Sequence, residues 1–225
     1  MMNKKKIFIA IDTNKVSKAK KIIRNTQTNK IKVGYKFGLE FFYSKEGRKF
    51  ISRLKNQTIF LDLKLNDIPN TVKSALKSLK NLKISYLTVH LSSGLSALKA
   101  LKKESKNIKI VGVTTLTSLN DKDLKEIGYN KKVNELVRHQ AKLAKKAKLD
   151  AIVCSGHEIR SVKSVFKKEI ITPGIKMQNT KTDQKRIMKP KDAFTAGCDW
   201  LVIGRSITRG NIKKNIKNLL EILED

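Results

Sequence analysis

Residues 58–90 read TIFLDLKLNDIPNTVKSALKSLKNLKISYLTVH and contain one complete strand–helix–strand unit. The run TIFLDL is rich in β-branched and aromatic residues, which predicts a strand, and YLTVH predicts a second one. Pro69 lies between them, near the first-turn position where a helix tolerates proline. The apolar residues that follow it keep helical spacing: Val72, Ala75, Leu76, Leu79 and Leu82. The stretch therefore predicts a βαβ unit.

Six similar apolar runs bring the number of predicted strands to about eight. They are IFIAID from residue 7, IKVGY from 31, IKIVGVTTL from 108, AIVCS from 151, EIITPGI from 169 and WLVIGRS from 200. Each run is nearly continuous rather than alternating, as expected of strands covered on both faces. Eight strand–helix units in 225 residues favour a (β/α)8 TIM barrel over an open doubly wound sheet. We expect a single barrel domain over residues 1–225.

The chain is strongly basic, with 50 Lys and Arg against 19 Asp and Glu and a formal net charge of +31. Such a charge could indicate a nucleic-acid or membrane-surface partner. In KKVNELVRHQAKLAKKAKLD (131–150), however, the lysines alternate with apolar residues at helical spacing, which is typical of a solvated helix face. No basic block is set apart from the predicted fold. We therefore expect no nucleic-acid partner.

The location of the protein is predicted from its cysteines and its apolar segments. Cys154 and Cys198 are far apart and form no CxxC pair, which favours reduced, buried thiols in the cytoplasm. The first apolar run ends at Asp12, too early for a signal peptide. No segment approaches the ~18 apolar residues of a membrane span. We expect neither export nor a membrane partner.

Polar residues occur where the predicted strands end, and barrel enzymes place their active sites at the carboxyl ends of the strands. Asp62 and Lys64 lie two residues apart on one face of strand 3. Charges in such a place need partners, so we predict an alternating network of Lys32, Asp62, Lys64 and Asp67. Such a network perturbs pKa values and is a candidate catalytic site.

The last two predicted strands indicate a phosphate site. TPGI follows strand 7 and IGRSIT follows strand 8, combining glycines with Arg205, and barrels commonly bind phosphate with these two loops. No P-loop, G-x-G-x-x-G, H-E-x-x-H or G-x-S-x-G motif is present. The residues alone therefore predict a barrel without cofactor or metal that acts on a phosphorylated anion.

The chain resembles the orotidine 5'-phosphate decarboxylase family, in its bacterial branch. The resemblance runs along the whole chain and is carried by AID, KVG, FLDLKLNDIPNT, TVHLSSG, VTTLTS, VCSGHE, TPGI, DQKRIM and VIGRSIT. It implies conversion of orotidine 5'-phosphate to uridine 5'-phosphate and CO2 without a cofactor, in pyrimidine biosynthesis. It also implies that Lys64 protonates C6 of the pyrimidine and that Asp62 lies beside the departing carboxylate. Lys32 and Asp67 complete the charge array.

The resemblance further implies how the substrate is held. Asp67 and Thr71 would enter the site of the neighbouring subunit in a homodimer, while Asp12 would bind the ribose and Thr117 the pyrimidine. The residues expected at the phosphate are Lys176, Gln184, Gly204 and Arg205. Lys176 stands in TPGIK where bacterial relatives usually have TPGIR, so a point charge replaces a planar, forked donor.

Two alternatives remain open from the sequence. The first is a metal-dependent sugar-phosphate decarboxylase or aldolase on a similar barrel, with the same D-x-K-x-x-D motif. The second is a basic, non-catalytic protein that binds nucleic acid and uses the barrel as a scaffold. A metal requirement would favour the first, and tight, salt-dependent binding to random duplex would favour the second.

Overall fold

Eight parallel strands form a closed barrel in sequence order, and β1 pairs with β8 to complete it. The structure, a computed structural model, describes residues 4–177 and 187–224. The strands are β1 Lys6–Ile11, β2 Lys32–Gly38, β3 Thr58–Leu65, β4 Tyr86–His90, β5 Lys109–Val113, β6 Ala151–Val153, β7 Glu169–Thr172 and β8 Trp200–Ile203. All eight predicted strands are present, and the predicted TIM barrel is confirmed.

Helices connect the strands and cover the outside of the barrel. They are α1 Val16–Asn25, α2 Leu39–Phe42, α3 Gly47–Arg53, α4 Pro69–Ser78, α5 Gly94–Glu104, α6 Asp121–Glu126, α7 Val133–Lys146, α8 Ile159–Val165, α9 Pro190–Thr195, α10 Arg205–Thr208 and α11 Ile212–Glu224. Helix α4 begins at Pro69, as predicted. Among the described residues, no helix combines the length and apolar character needed to cross a membrane.

The lysine-rich helices expose their lysines and bury their apolar residues. In α7, Val137, Ala141 and Ala144 are fully buried, whereas Lys142 and Lys145 are exposed. The expectation that these lysines form a solvated face is therefore confirmed.

Aromatic side chains fill the amino-terminal end of the barrel interior. The rings of Phe8 and Trp200 stack with centroids 4.0 Å apart, and the ring of Tyr86 packs edge-on against Phe8. The ammonium groups of Lys6 and Lys32 each lie 5.8 Å from the centroid of the Trp200 ring, a cation–π arrangement. This end of the barrel is packed, so a ligand site must lie at the opposite end.

Strand β3 departs from regular pairing near its carboxyl end. Leu61 pairs with Leu87, but the next pair is Leu65 with Val89, so residues 62–64 face the single residue Thr88. Within this bulge Lys64 has a φ of +49°, a left-handed conformation that is uncommon for a residue other than glycine. Bulges often re-aim side chains beside active sites, and this one contains both charged residues of β3.

Candidate active site

A cavity of about 510 Å³ lies at the carboxyl ends of the strands. Its lining combines apolar side chains, among them Phe60 and Val202, with a high density of cations. The charged residues along its wall are Asp12, Lys18, Lys36, Asp62, Lys64, Lys176, Arg205 and Arg209. Six cations against two carboxylates make the cavity suited to a small anion.

Four of these residues form a chain of alternating charge across three adjacent strand ends. Lys36 Nζ lies 3.7 Å from Asp12 Oδ1 and 3.3 Å from Asp62 Oδ2, and Lys64 Nζ lies 2.9 Å from Asp62 Oδ1. The side chains of Lys36 and Asp62 are each only 14% exposed. The predicted pairing of Asp62 with Lys64 is therefore present, with the two groups in direct contact.

The two lysines keep Asp62 ionised. Burial alone would raise the pKa of this carboxyl, but Lys36 and Lys64 outweigh burial and hold the pKa below its ordinary value. At His90, at the end of β4, the pKa is also lowered, which here disfavours the charged form. Burial and repulsion by Lys64 lower the pKa of His90, against a smaller attraction by Asp62.

Lys32 was expected in this array, and the structure corrects that expectation. Lys32 is the first residue of β2 and lies against Trp200 at the packed end of the barrel, whereas Lys36 reaches the cavity. Lys-x-Gly occurs twice in the strand, as Lys32-Val33-Gly34 and Lys36-Phe37-Gly38, and the KVG motif that carries the resemblance is the first copy. Barrel sites lie at carboxyl ends, so the second copy is the one in position.

Asp67 lies just beyond β3 and Thr71 lies in the first turn of α4, and both are exposed. The Asp67 carboxylate accepts a hydrogen bond of 2.7 Å from the Ile68 N–H, and neither residue is among the described side chains that line the cavity. Within the chain, the structure therefore does not bring Asp67 into contact with Lys64.

The cationic end of the cavity is built from the loops after β7 and β8. Lys176 and Arg205 line it, and a Cβ atom at Gly204 would lie 3.3 Å from Asp12 Oδ2, a tight contact that glycine avoids. Lys176 N–H donates to Met188 O at 3.1 Å, which fixes the base of the β7 loop. Gln184, also expected at the phosphate, lies outside the described residues.

Two further cations of the cavity were not predicted from the sequence. Lys18, in the first turn of α1, and Arg209, just after α10, both line the cavity. Lys18 reaches it because α1 begins shortly after the carboxyl end of β1. Arg209 could have been found as the next cation after the IGRSIT motif, but Lys18 looks like any other surface lysine in the sequence.

Thr117, expected near the pyrimidine, also lines the cavity, in the segment between β5 and α6. Cys154 and Val153 form its wall at the end of β6.

Within residues 4–177 and 187–224, no group of three or more His, Cys, Asp or Glu side chains is arranged to hold a metal ion.

Comparison with known proteins assigns the family. Residues 5–216 match the model of the Orotidine 5'-phosphate decarboxylase / HUMPS family. The chain belongs to this family. It is 41% identical over 221 residues to an orotidine 5'-phosphate decarboxylase of Wolbachia sp. subsp. Brugia malayi, covering 95% of this chain and 96% of the relative. It is 39% identical over 215 residues to one from Carboxydothermus hydrogenoformans, covering 90% and 88%.

The family assignment agrees with the architecture. The crystal structure of orotidine 5'-phosphate decarboxylase from Lactobacillus acidophilus superposes with a TM-score of 0.84 at 29% identity, covering 98% of this chain and all of that one. In the D-x-K-x-x-D motif of this chain, Asp62 and Lys64 lie on β3 and line the cavity, and Asp67 lies beyond the end of the strand.

His90 gives a prediction about stability and pH. Its pKa is lowered in the folded state from about 6.5, so the unfolded state binds more protons as pH falls below that value. The free energy of unfolding should therefore decrease between about pH 6.5 and the lower folded pKa. His90→Asn should remove this part of the decrease in urea titrations at several pH values. An unchanged slope in His90→Asn would contradict the prediction.

Proposed function

We propose that the chain decarboxylates orotidine 5'-phosphate to uridine 5'-phosphate and CO2, in pyrimidine biosynthesis. The observation that carries the proposal is the alternating chain Asp12–Lys36–Asp62–Lys64 at the wall of a cavity whose other end is cationic. The two relatives described above are named orotidine 5'-phosphate decarboxylase, and the match covers most of the length of each. The substrate carries a phosphate and a carboxylate, the two kinds of anion that such a cavity suits.

The chemistry needs a fixed cation beside the reacting carbon. Loss of CO2 from C6 leaves an electron pair in an orbital in the plane of the ring, where the π system cannot delocalise it. Stabilisation must be electrostatic, and a preorganised ammonium group in a partly dehydrated cavity supplies it mainly in the transition state. We assign this role to Lys64, which then donates its proton to C6 as general acid.

The other charges of the array would hold Lys64 in place and act on the substrate. Asp62 contacts Lys64 and would lie beside the carboxylate that departs, where its negative charge disfavours the bound ground state more than the transition state. Lys36 replaces Lys32 in the array and, with Asp12, would bind the ribose hydroxyl groups. Thr117 would contact the pyrimidine.

The phosphate would bind at the cationic end of the cavity. Arg205 and Lys176 supply charge there, and Gly204 allows the backbone to approach the ligand. Because the phosphate is remote from C6, its binding energy can be used to close and order the site. Gln184 remains a proposed ligand on the basis of the family motif alone.

The proposal includes a homodimer in which Asp67 and Thr71 act in the partner's site. It is supported by their exposure and by two exposed apolar side chains at the same end of the barrel. Ile68 is 67% exposed and Tyr43 is 75% exposed, and they belong to the segments that follow the neighbouring strands β3 and β2. Exposed apolar groups in adjacent loops suit a subunit interface.

The proposal also includes a cytoplasmic location and a reaction without cofactor or metal. The location is supported by the free, buried thiols of Cys154 and Cys198. Of the alternatives, the metal-dependent sugar-phosphate enzymes are disfavoured by the names of the relatives, and a nucleic-acid-binding scaffold by the solvated lysine faces.

Lys64→Ala provides the central test. The wild-type protein should consume orotidine 5'-phosphate, followed by absorbance, equally with and without a chelator. Lys64→Ala should lower kcat by ~10³-fold or more, because both the fixed charge and the proton donor are lost, while the variant stays folded and still binds uridine 5'-phosphate. Near-normal turnover by the variant would refute the proposal, and loss of wild-type activity with chelator would favour the metal-dependent alternative.

The two lysines of β2 form a matched pair for testing the corrected array. Lys36→Ala should lower kcat/KM by on the order of 100-fold, because Asp62 and Asp12 lose a shared partner at the cavity wall. Lys32→Ala removes the same charge from the same strand at the packed end and should leave kcat/KM within about threefold of wild type. If steady-state kinetics showed a larger loss of kcat/KM in Lys32→Ala than in Lys36→Ala, Lys32 would belong to the charge array, as the sequence predicted.

Subunit complementation tests whether Asp67 acts in the partner's site. Lys64→Ala and Asp67→Asn homodimers should both be inactive. After random subunit exchange, half of the dimers are mixed and each has one site with both wild-type groups, so about a quarter of wild-type activity should return. Lys64→Ala mixed with Asp62→Asn should recover none, because both groups belong to one subunit. Equal recovery in the two mixtures would contradict action in trans.

A further inference from the structure

Thr88 lies in the middle of β4, is fully buried, and faces the bulge of β3. It is the single β4 residue opposite residues 62–64, where the regular strand ladder is interrupted. Backbone groups in such a gap need other partners, because an unpaired buried N–H is costly. A side chain at this position can therefore replace the missing ladder contacts.

The Thr88 hydroxyl group joins the two charged residues of the bulge. The backbone N–H of Lys64 donates to Thr88 Oγ1 at 2.8 Å, and the hydroxyl donates to Asp62 Oδ1 at 3.2 Å. The same Oδ1 lies 2.9 Å from Lys64 Nζ. One hydroxyl thus fixes the backbone that carries the ammonium group and the oxygen that the ammonium group contacts.

We propose that Thr88 is a positioning residue that sets the Asp62–Lys64 pair for decarboxylation, an inference that rests on the proposed function. Thr88 is not among the described residues that line the cavity, so it acts through its neighbours. Lys64 holds a left-handed φ of +49°, and such a conformation persists only where the surroundings enforce it. The hydrogen bond to its N–H is one such restraint.

The chemistry of the side chain explains why a hydroxyl is required. It accepts one hydrogen bond and donates another at the same atom, which fits an N–H on one side and an ionised carboxylate on the other. Valine matches the shape of threonine but can do neither. Serine can do both.

The test compares Thr88→Val, Thr88→Ser and the matched control Thr26→Val. Thr26 is also fully buried, and its hydroxyl donates to Ile22 O and contacts the Tyr35 hydroxyl, at the end of α1. Thermal unfolding, kcat and KM for orotidine 5'-phosphate, and Kd for uridine 5'-phosphate would be measured for each. Thr88→Ala serves as a second hydroxyl-free variant if Thr88→Val does not fold.

We expect Thr88→Val to lower kcat by about 10- to 100-fold with KM and Kd within about threefold of wild type, because the reacting groups are displaced while the phosphate end is intact. Thr88→Ser should recover kcat to within about threefold. Thr26→Val should lose stability but keep kcat.

Three results would overturn the inference: wild-type kcat in Thr88→Val or Thr88→Ala, a serine variant as slow as the valine variant, or an equal loss of kcat in Thr26→Val. A wild-type protein without decarboxylase activity would instead overturn the proposed function, and the inference with it. An active wild type with an unaffected Thr88→Val would overturn the inference alone.

Discussion

The site depends on the contact of one buried carboxylate with two ammonium groups. Asp62 could not remain charged at this depth alone, because removing a carboxylate from water costs several kcal/mol. Lys36 and Lys64 compensate for that cost and in turn need Asp62 to limit their mutual repulsion. The three groups come from two neighbouring strands, so the pairing of β2 with β3 fixes their separation. The remaining features of the cavity place a substrate against this contact.

The fold could be predicted almost completely because its signals are local and repeated. Each strand is a short, continuous apolar run, and the helix after β3 begins at Pro69 as its sequence indicates. The site was predicted less fully. Asp62, Lys64 and Arg205 were predicted because strand ends are recognisable in sequence. Lys32, in the first of two Lys-x-Gly copies, was predicted, and Lys36, in the second copy, was not. Lys32 and Lys36 are four residues apart, which is ~13 Å along a strand. This distance places Lys32 at the packed end of the barrel and Lys36 at the cavity.

Other contacts of the site could not be predicted because they depend on how strands pair. Thr88 contacts Lys64 and Asp62 only because the pairing register of β3 with β4 shifts between Leu61 and Leu65. No Gly or Asn within the bulge indicates this shift in the sequence. The loop that contains Gly204, after β8, lies against Asp12, after β1, only because the barrel closes between these two strands. A register change and a closure are non-local events, so local patterns of residue type do not encode them.

The abundance of lysine illustrates the same limit, because one residue type serves three different purposes here. Lys145 is solvated on a helix face, Lys32 lies over the ring of Trp200, and Lys64 contacts Asp62 at the cavity wall. The formal charge of +31 attracts any anion to the surface, and this attraction weakens as salt screens it. Selectivity for one anion must instead come from lysines that are partly buried and paired with a carboxylate. Such a lysine is partly dehydrated and fixed in place, and it acts on a bound ligand at short range, where salt screens little.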